Sequence, residues 1–440
     1  MAYSPWLIKP RKFFPMVVKN NFLSSDTSVL FATFSLWTNG KRMPTNGSVE
    51  PLRDFLVPRI RRLVLIDQLA PGSEDVFHKI EVYTNHAKKA QMHKPSGLFY
   101  LLWPLLKLKN YTGTHIVYKV RDFFSIVDWV LHDRKKFDYF IGLESVNACV
   151  GVLLRWLGIV KCVIYYVSDY SPARYKHWWF NQTYLWLDRY SAKHADYIWD
   201  VSRAIHPARI KAGLRLHASA PVIHVANGLF PEQIKQNPIS QIDPHALVFM
   251  GTLGPENGPD VAIRALALIR KKIPDATLHI IGGTPASSAW LLPIVREHHQ
   301  ESAVIFHGFV PSAQQMSQIM RECAVAVAPY RAVEGSPRFY GDAGKIRAYC
   351  ASGLPIVSSR VPPIAKDVEA KGAAIVTDDD EKSFAKAILM IFKDKRLFVN
   401  MRKSAIAIAK TNTWDHQFSQ AFEHMQNHSH LPPKKKHLSL

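Results

Sequence analysis

Gly341-Asp-Ala-Gly-Lys-Ile-Arg-Ala-Tyr-Cys-Ala-Ser-Gly-Leu-Pro-Ile-Val-Ser-Ser359 is the stretch on which the reading of this chain turns. It runs from a helix start through an apolar helix body to a glycine stop and a β-branched strand. Asp342 is placed to cap a helix beginning near Ala343, and Gly344 leaves the first turn uncrowded. Lys345 falls in that first turn, where the helix dipole disfavours a cation. A lysine there makes sense opposite an anion such as a diphosphate; a solvated lysine is the plainer alternative.

Outward from this segment, strand-like runs alternate with helical patterns. Leu247–Met250, Thr277–Ile281, Val304–Val310, Ala324–Ala328, Pro355–Val357 and Ala373–Val376 read as strands, with a helix from Pro259 to Lys272 among those between them. This is the pattern of a doubly wound α/β domain, which binds ligands at the carboxyl ends of its strands. Gly251 and Gly254 follow the first of these strands and Gly282 and Gly283 the second. Glycines there let backbone N–H groups approach an anion, although tight βα turns without a ligand use them equally.

The first half repeats the theme less regularly. Val29–Phe34, Leu63–Ile66, Ile80–Tyr83, Phe137–Gly142 and Val163–Val167 read as strands, with a helical stretch over Val49–Arg61. Short buried strands separated by helices imply a parallel sheet covered on both faces. The longest apolar run, Ala148–Val167, is interrupted by Arg155, Gly158 and Lys161, so it divides into a helix and a strand rather than crossing a membrane. The expected organisation is an N-terminal arm (1–27), a first Rossmann-like domain (28–225), a linker (226–244), a second Rossmann-like domain (245–411), a C-terminal helix (412–428) and a basic tail (429–440).

Composition narrows the function classes. With 440 residues, 48% of them hydrophobic and 11% aromatic, the chain buries a large core and global disorder is excluded. The four cysteines are widely spaced, with no paired or zinc-like pattern, which fits a reducing, cytoplasmic setting. The net charge of +21 is spread over several clusters, so no nucleic-acid motif forms. Leu98–Lys109 sets Trp103 and Tyr100 beside lysines, as a segment lying on an anionic membrane would; a buried helix in a basic protein is the alternative. Asp378-Asp-Asp-Glu381 reads as a helix start rather than a metal site, and no metal is expected.

The run Gly344–Ser359 resembles the K-x-x-E-Y-x-A-x-G-x-P-V-V segment of GT-B glycosyltransferases, in particular the large retaining family 4 group. Phe249-Met-Gly-Thr-Leu, Leu278-His-Ile-Ile-Gly-Gly, Val304–Val310 and Ala324–Tyr330 fall in that family's order and spacing. The likeness is good over about 245–410 and looser in the first half, through Phe140–Glu144 and Tyr165–Asp169. It implies two Rossmann-like domains facing an interdomain cleft, the nucleotide-sugar on the second and a saccharide or lipid-linked acceptor on the first. The implied activity is hexosyl transfer from a nucleotide-diphosphate donor to a hydroxyl, with configuration retained, without metal or cofactor, in cell-surface polysaccharide or glycolipid assembly at the inner membrane face.

Several positions depart from the family. Its ribose-binding glutamate is replaced by Ala348, the glutamate eight residues earlier by Tyr340, and the Arg and Lys after the first strand by Thr252 and Asn257. Glu334 offers a carboxylate in the same loop. Lys345, with Arg338 and Arg347, is then the expected neutraliser of the diphosphate. A non-catalytic binding protein and a sugar-nucleotide epimerase are the competing readings.

In the first half, Asp169 and Glu144 stand at strand ends, where ligands bind. Each has a plainer role, Asp169 in the turn before Pro172 and Glu144 as the cap of the helix Ser145–Leu157. Asp169 or Glu144 is expected to position the acceptor. The loop holding Asn39, Gly40, Asn46 and Gly47 is expected to be flexible enough to cover the acceptor, with Arg174 among its contacts.

Overall fold

The computed structural model describes residues 23–43, 47–74, 77–90 and 114–428, together with Tyr100 and Pro104. The arm to residue 22, most of the Leu98–Lys109 segment and the basic tail lie outside them.

The first sheet is built from β1 (Ser28–Thr38), β2 (Lys41–Met43), β3 (Arg62–Leu69), β4 (Lys79–Thr84), β5 (Ala87–Ala90), β6 (Phe137–Leu143), β7 (Val160–Val167), β8 (Tyr197–Asp200) and β9 (Val222–His224). Its order is β5-β4-β3-β1-β6-β7-β8-β9, with β2 on the end of β1. From β3 to β9 the pairings are parallel; β4 and β5 add an antiparallel edge. That edge departs from the expected all-parallel sheet. The helices of this half are α1 (Val49–Leu56), α2 (Thr114–Asp133), α3 (Ser145–Trp156), α4 (Trp178–His194) and α5 (Ile205–Lys211).

The strands carry the signature of two-sided burial. Every residue of β3 is buried, and its run Leu63-Val-Leu-Ile66 shows no polar alternation because helices cover both faces. The apolar run 148–167 divides into α3 and β7, and no helix among the described residues is long and apolar enough to cross a membrane.

The second sheet has the order β12-β11-β10-β13-β14-β15, all parallel. Its strands are β10 (Ala246–Met250), β11 (Thr277–Ile281), β12 (Val304–Gly308), β13 (Val325–Ala328), β14 (Ile356–Ser359) and β15 (Ala374–Thr377). Around it pack α6 (Pro259–Arg270), α7 (Pro285–Ser288), α8 (Leu292–Glu297), α9 (Ala313–Glu322), α10 (Gly344–Ala351), α11 (Ile364–Ala370), α12 (Glu381–Lys393) and α13 (Lys395–Lys410). Strand order reverses between β10 and β13, so a crevice opens at the carboxyl ends of those two strands.

The last helix, α14 (Trp414–His428), leaves the second domain and packs on the first. Phe418 and Phe422 meet Phe55 of α1 and Trp199 of β8, with ring centroids 5.1–6.3 Å apart. Such ring pairs add about 0.5–1.5 kcal/mol each beyond simple burial. The two sheets are thereby tied together twice, through 225–245 and through α14.

Candidate functional site

Lys345 opens α10 at the point where the second sheet reverses. The residue is 9% exposed, and its Nζ lies 4.3 Å from the Phe249 ring centroid and 4.4 Å from that of Tyr330. Phe249 belongs to β10 and Tyr330 follows β13, so the ammonium sits above the crevice floor. A Cβ added to Gly251 would come within 3.2 Å of it. Nζ has no hydrogen-bond partner among the described residues. Burial, reinforced by the nearby Arg338 charge and opposed by Glu256, holds its pKa well below the ordinary lysine range. A buried cation beside a second cation is costly until an anion joins them.

The neighbouring residues divide into some that face this place and some that do not. Arg338 also faces the Tyr330 ring, 5.9 Å from its centroid. Asp342 does not cap α10: the helix begins at Gly344 after Ala343, without a side-chain cap. Instead its Oδ2 accepts from Arg347 Nε (2.7 Å) and from the Asn227 N–H (2.8 Å) of the interdomain connection. Asp342 and Arg347 thus neutralise one another and fix the hinge, which removes Arg347 as a free counter-charge. Glu334 stands exposed in the loop after β13, and Gly335 beside it accepts from Ser171 Oγ of the first domain (3.2 Å).

The glycines are explained first by the backbone. A Cβ on Gly282 would lie 2.1 Å from the Gly251 carbonyl, so the ends of β10 and β11 approach too closely for any other residue. Gly283 is pressed against Leu253, and Gly254 against the Glu256 carboxylate. Gly344 has open space around its missing Cβ. At the positions where the family has cations, Asn257 is buried and donates to Thr252 Oγ1 at 2.6 Å, a neutral pair that rigidifies the loop. Ala348 is enclosed in the apolar core, and Tyr349 beside it accepts from the Met250 N–H (2.8 Å), locking α10 beneath β10.

Across the crevice, β6 and β7 deliver Glu144, Asp169 and Arg174. Glu144 occupies φ 71°, ψ 162° at the start of α3, a region almost reserved for glycine that costs about 1–3 kcal/mol. It makes no side-chain cap; its Oε2 lies 3.9 Å from Arg174 and its Oε1 has no partner among the described residues. Burial pushes this carboxyl up, against the pull of Arg174. Asp169 is exposed and lies 3.6 Å from the same guanidinium. Ser171, not Asp169, braces the turn, accepting from the Ala173 N–H.

The acceptor-loop expectation is corrected in part. Asn39 and Gly40, at φ 52° and 65°, form the two-residue turn of the hairpin β1–β2. Both central positions of such a turn need positive φ, so the Asn-Gly pair is a structural requirement rather than a mark of flexibility. Gly47 is exposed just before α1, and Asn46 lies outside the described residues. Tyr340, noted in the sequence only as a replaced glutamate, meets the ring of Tyr170, which sequence reasoning passed over, at 6.0 Å and at right angles between the domains. It also passed over a cavity of about 930 Å³ behind Glu144.

The acidic run 378–381 behaves as a helix start. Asp380 accepts from the Lys382 and Ser383 N–H groups at 2.9 Å, and among the described residues no cluster of metal-ligating side chains occurs.

Comparison with known proteins agrees with this geometry. Residues 244–394 match the family described as glycosyl transferases group 1. The D-inositol 3-phosphate glycosyltransferase of Jonesia denitrificans is 28% identical over 214 residues, 46% of this chain and 49% of that protein. The match therefore spans about half the length of this curated relative. Anabaena HepE, crystallised with UDP, superposes with a TM-score of 0.63 at 17% identity, covering 91% of this chain and 100% of the other. Sucrose-phosphate synthase from Thermosynechococcus elongatus gives 0.64 at 13% identity, covering 91% and 99%. At these identities the superpositions speak for the fold. This chain has the GT-B architecture of two Rossmann-like domains, and its second domain carries the glycosyl transferases group 1 segment over residues 244–394.

Proposed function

We propose that the protein is a glycosyltransferase that moves a sugar from a nucleoside-diphosphate donor to a hydroxyl acceptor. The observation that carries this reading is the Lys345 ammonium, buried at the switch point beside Arg338 with no hydrogen-bond partner among the described residues. Such a pair is completed by a diphosphate. As the glycosidic bond breaks, negative charge grows on the departing phosphate, and a fixed cation in a dry site stabilises that charge more than it stabilises the bound donor. Glu144 and Asp169, bridged by Arg174, are suited to hold the acceptor hydroxyl against the sugar.

We take configuration to be retained and metal to be unnecessary, the cations of the chain serving the leaving group. The cysteines of the described residues are free thiols, which suits a cytoplasmic site for the reaction. Assembly of a surface polysaccharide or glycolipid is the corresponding setting.

The test is a melting-temperature screen with UDP and other nucleoside diphosphates on wild type and Lys345→Met. A saturating ligand at a specific site raises the melting temperature by mass action, so wild type shifts and the variant does not. Equal shifts in the two proteins, or none in wild type, overturn the assignment.

A second reading has its own support. Ala348 is sealed in the core, Tyr340 is committed to the interdomain contact, and Thr252–Asn257 is neutral. These changes favour a nucleotide-sugar-binding protein without turnover, and donor binding with no product in any acceptor mixture distinguishes it.

A further inference from the structure

We infer that the cavity behind Glu144 seats a hydrocarbon chain attached to the acceptor hydroxyl. This rests on the transferase reading for the word acceptor, but the cavity is a feature of the first domain alone.

Its place in the fold is the first argument. In the first sheet the order reverses between β1 and β6, and the cavity opens at that switch point. Phe34 and Leu36 come from β1, and Glu144 follows β6. Open α/β sheets bind ligands at such points. The volume of about 930 Å³ falls within the ~300–1,000 Å³ usual for small-molecule sites.

The lining is the second argument. Aromatic and aliphatic side chains from β1, α2, α3 and α4 make most of the wall, and the polar groups are largely spoken for. Arg121 donates to Asp122 and to the Leu69 carbonyl, and Thr183 donates to the Trp179 carbonyl. A saccharide carries a hydroxyl on nearly every carbon, and each one buried here without a partner is penalised. A methylene chain has no such need. Glu144 meets the charges of Arg174 and Lys119 in the cavity wall, so the occupant has a hydroxyl head near them and an apolar body against the aromatic and aliphatic lining.

The rim is the third. Ile116 and Val120 on α2 and Trp179 on α4 line the cavity, yet are 39%, 37% and 55% exposed. Farther along α2, Ile126, Trp129 and Val130 are buried in the core. Ile116, Val120 and Trp179 thus present apolar surface to solvent while lining the cavity, as expected if a hydrocarbon enters past them; Leu131, at the other end of α2, is exposed away from it.

The probe is 11-dansylaminoundecanoic acid, whose fluorescence rises in an apolar pocket, displaced by the n-alkanols from hexanol to dodecanol. Each added methylene is expected to tighten displacement about fourfold until the chain fills the cavity. Thr183→Trp, at an exposed rim position, is expected to weaken probe binding at least tenfold. Cys149→Phe, from the inner wall, gives a second reading of the same effect. UDP-induced thermal shifts are recorded on the same samples and are expected to be unchanged. No dependence on chain length, or wild-type probe binding in both variants, overturns the inference. Probe binding that follows these rules without any UDP shift upholds the cavity assignment and removes the transferase reading instead.

Discussion

The ring of Tyr340, on the loop leading to Lys345, meets the ring of Tyr170 from the first domain at 6.0 Å and at right angles. Tyr340 also packs against the apolar core of that first domain. The loop bearing Arg338 is thus held by a contact that belongs to neither domain alone. Replacing Tyr340 by Ala removes an aromatic pair worth about 1 kcal/mol, which corresponds to a roughly fivefold change in the open fraction of the loop. Trypsin cleavage at Arg331 and Arg338 is expected to accelerate by that factor, with overall secondary structure retained.

Lys345 separates stability from turnover. Lys345→Met deletes a buried cation that has no hydrogen-bond partner among the described residues and keeps the apolar stem, so the ligand-free protein is expected to melt higher. Turnover is expected to fall at least a hundredfold, the scale of losing one fixed electrostatic stabiliser. The sign with pH follows from the lowered pKa. Between the folded and unfolded values the unfolded chain binds more protons, so wild type gains stability as pH rises. The gap between variant and wild type is expected to narrow as pH climbs toward the ordinary lysine value of about 10.4. A melting gap that widens over that range contradicts the assignment.

Glu144 predicts a second trade-off. Glu144→Gly relieves a backbone conformation natural only to glycine and is expected to stabilise the fold by about 1 kcal/mol or more. The same change, and Glu144→Gln, are expected to lower acceptor-dependent transfer by about a hundredfold while leaving UDP binding intact. Because burial raises this carboxyl, wild-type activity is expected to decline on acidification through a pH above the ordinary glutamate value of about 4.3. The Gln variant lacks that limb, which a pH–rate profile reads directly.

Gly282 is predicted to be intolerant for a reason unrelated to any ligand. Gly282→Ala puts a methyl 2.1 Å from the Gly251 carbonyl and forces the ends of two core strands apart. A loss of roughly 2–3 kcal/mol is expected, of the order seen for strained or overpacked sites, and chemical denaturation measures it. Gly344→Ala, with open space at that position, is the matched control.

The second domain was legible because its information is local. Runs such as Leu247-Val-Phe-Met250 are buried on both faces, so their apolar content marks strand limits within a residue or two. The first domain hid its edges. The strands β5, β8 and β9 are short, and Ala87-Lys-Lys-Ala90 has no apolar pattern because it lies at the sheet margin.

Among site residues, Lys345 was legible from its position against the helix dipole, whereas Asp342 was misread as a cap. Its true partners, Arg347 and the Asn227 backbone, include one 115 positions away along the chain. Glu144 and Asp169 were placed correctly at strand ends, but the strain at Glu144 has no sequence signal. The cavity behind it is assembled from four separate elements and is invisible to any local pattern.

The return of α14 to the first domain has a consequence for synthesis. Phe55 and Trp199 emerge from the ribosome long before Phe418 and Phe422, the rings that cover them. The half of the molecule made first therefore waits, with part of its interior uncovered, until the half made last has been translated. Any attempt to produce residues 23–225 as an independent piece inherits that bare face, and supplying the 414–428 peptide in trans is the natural remedy.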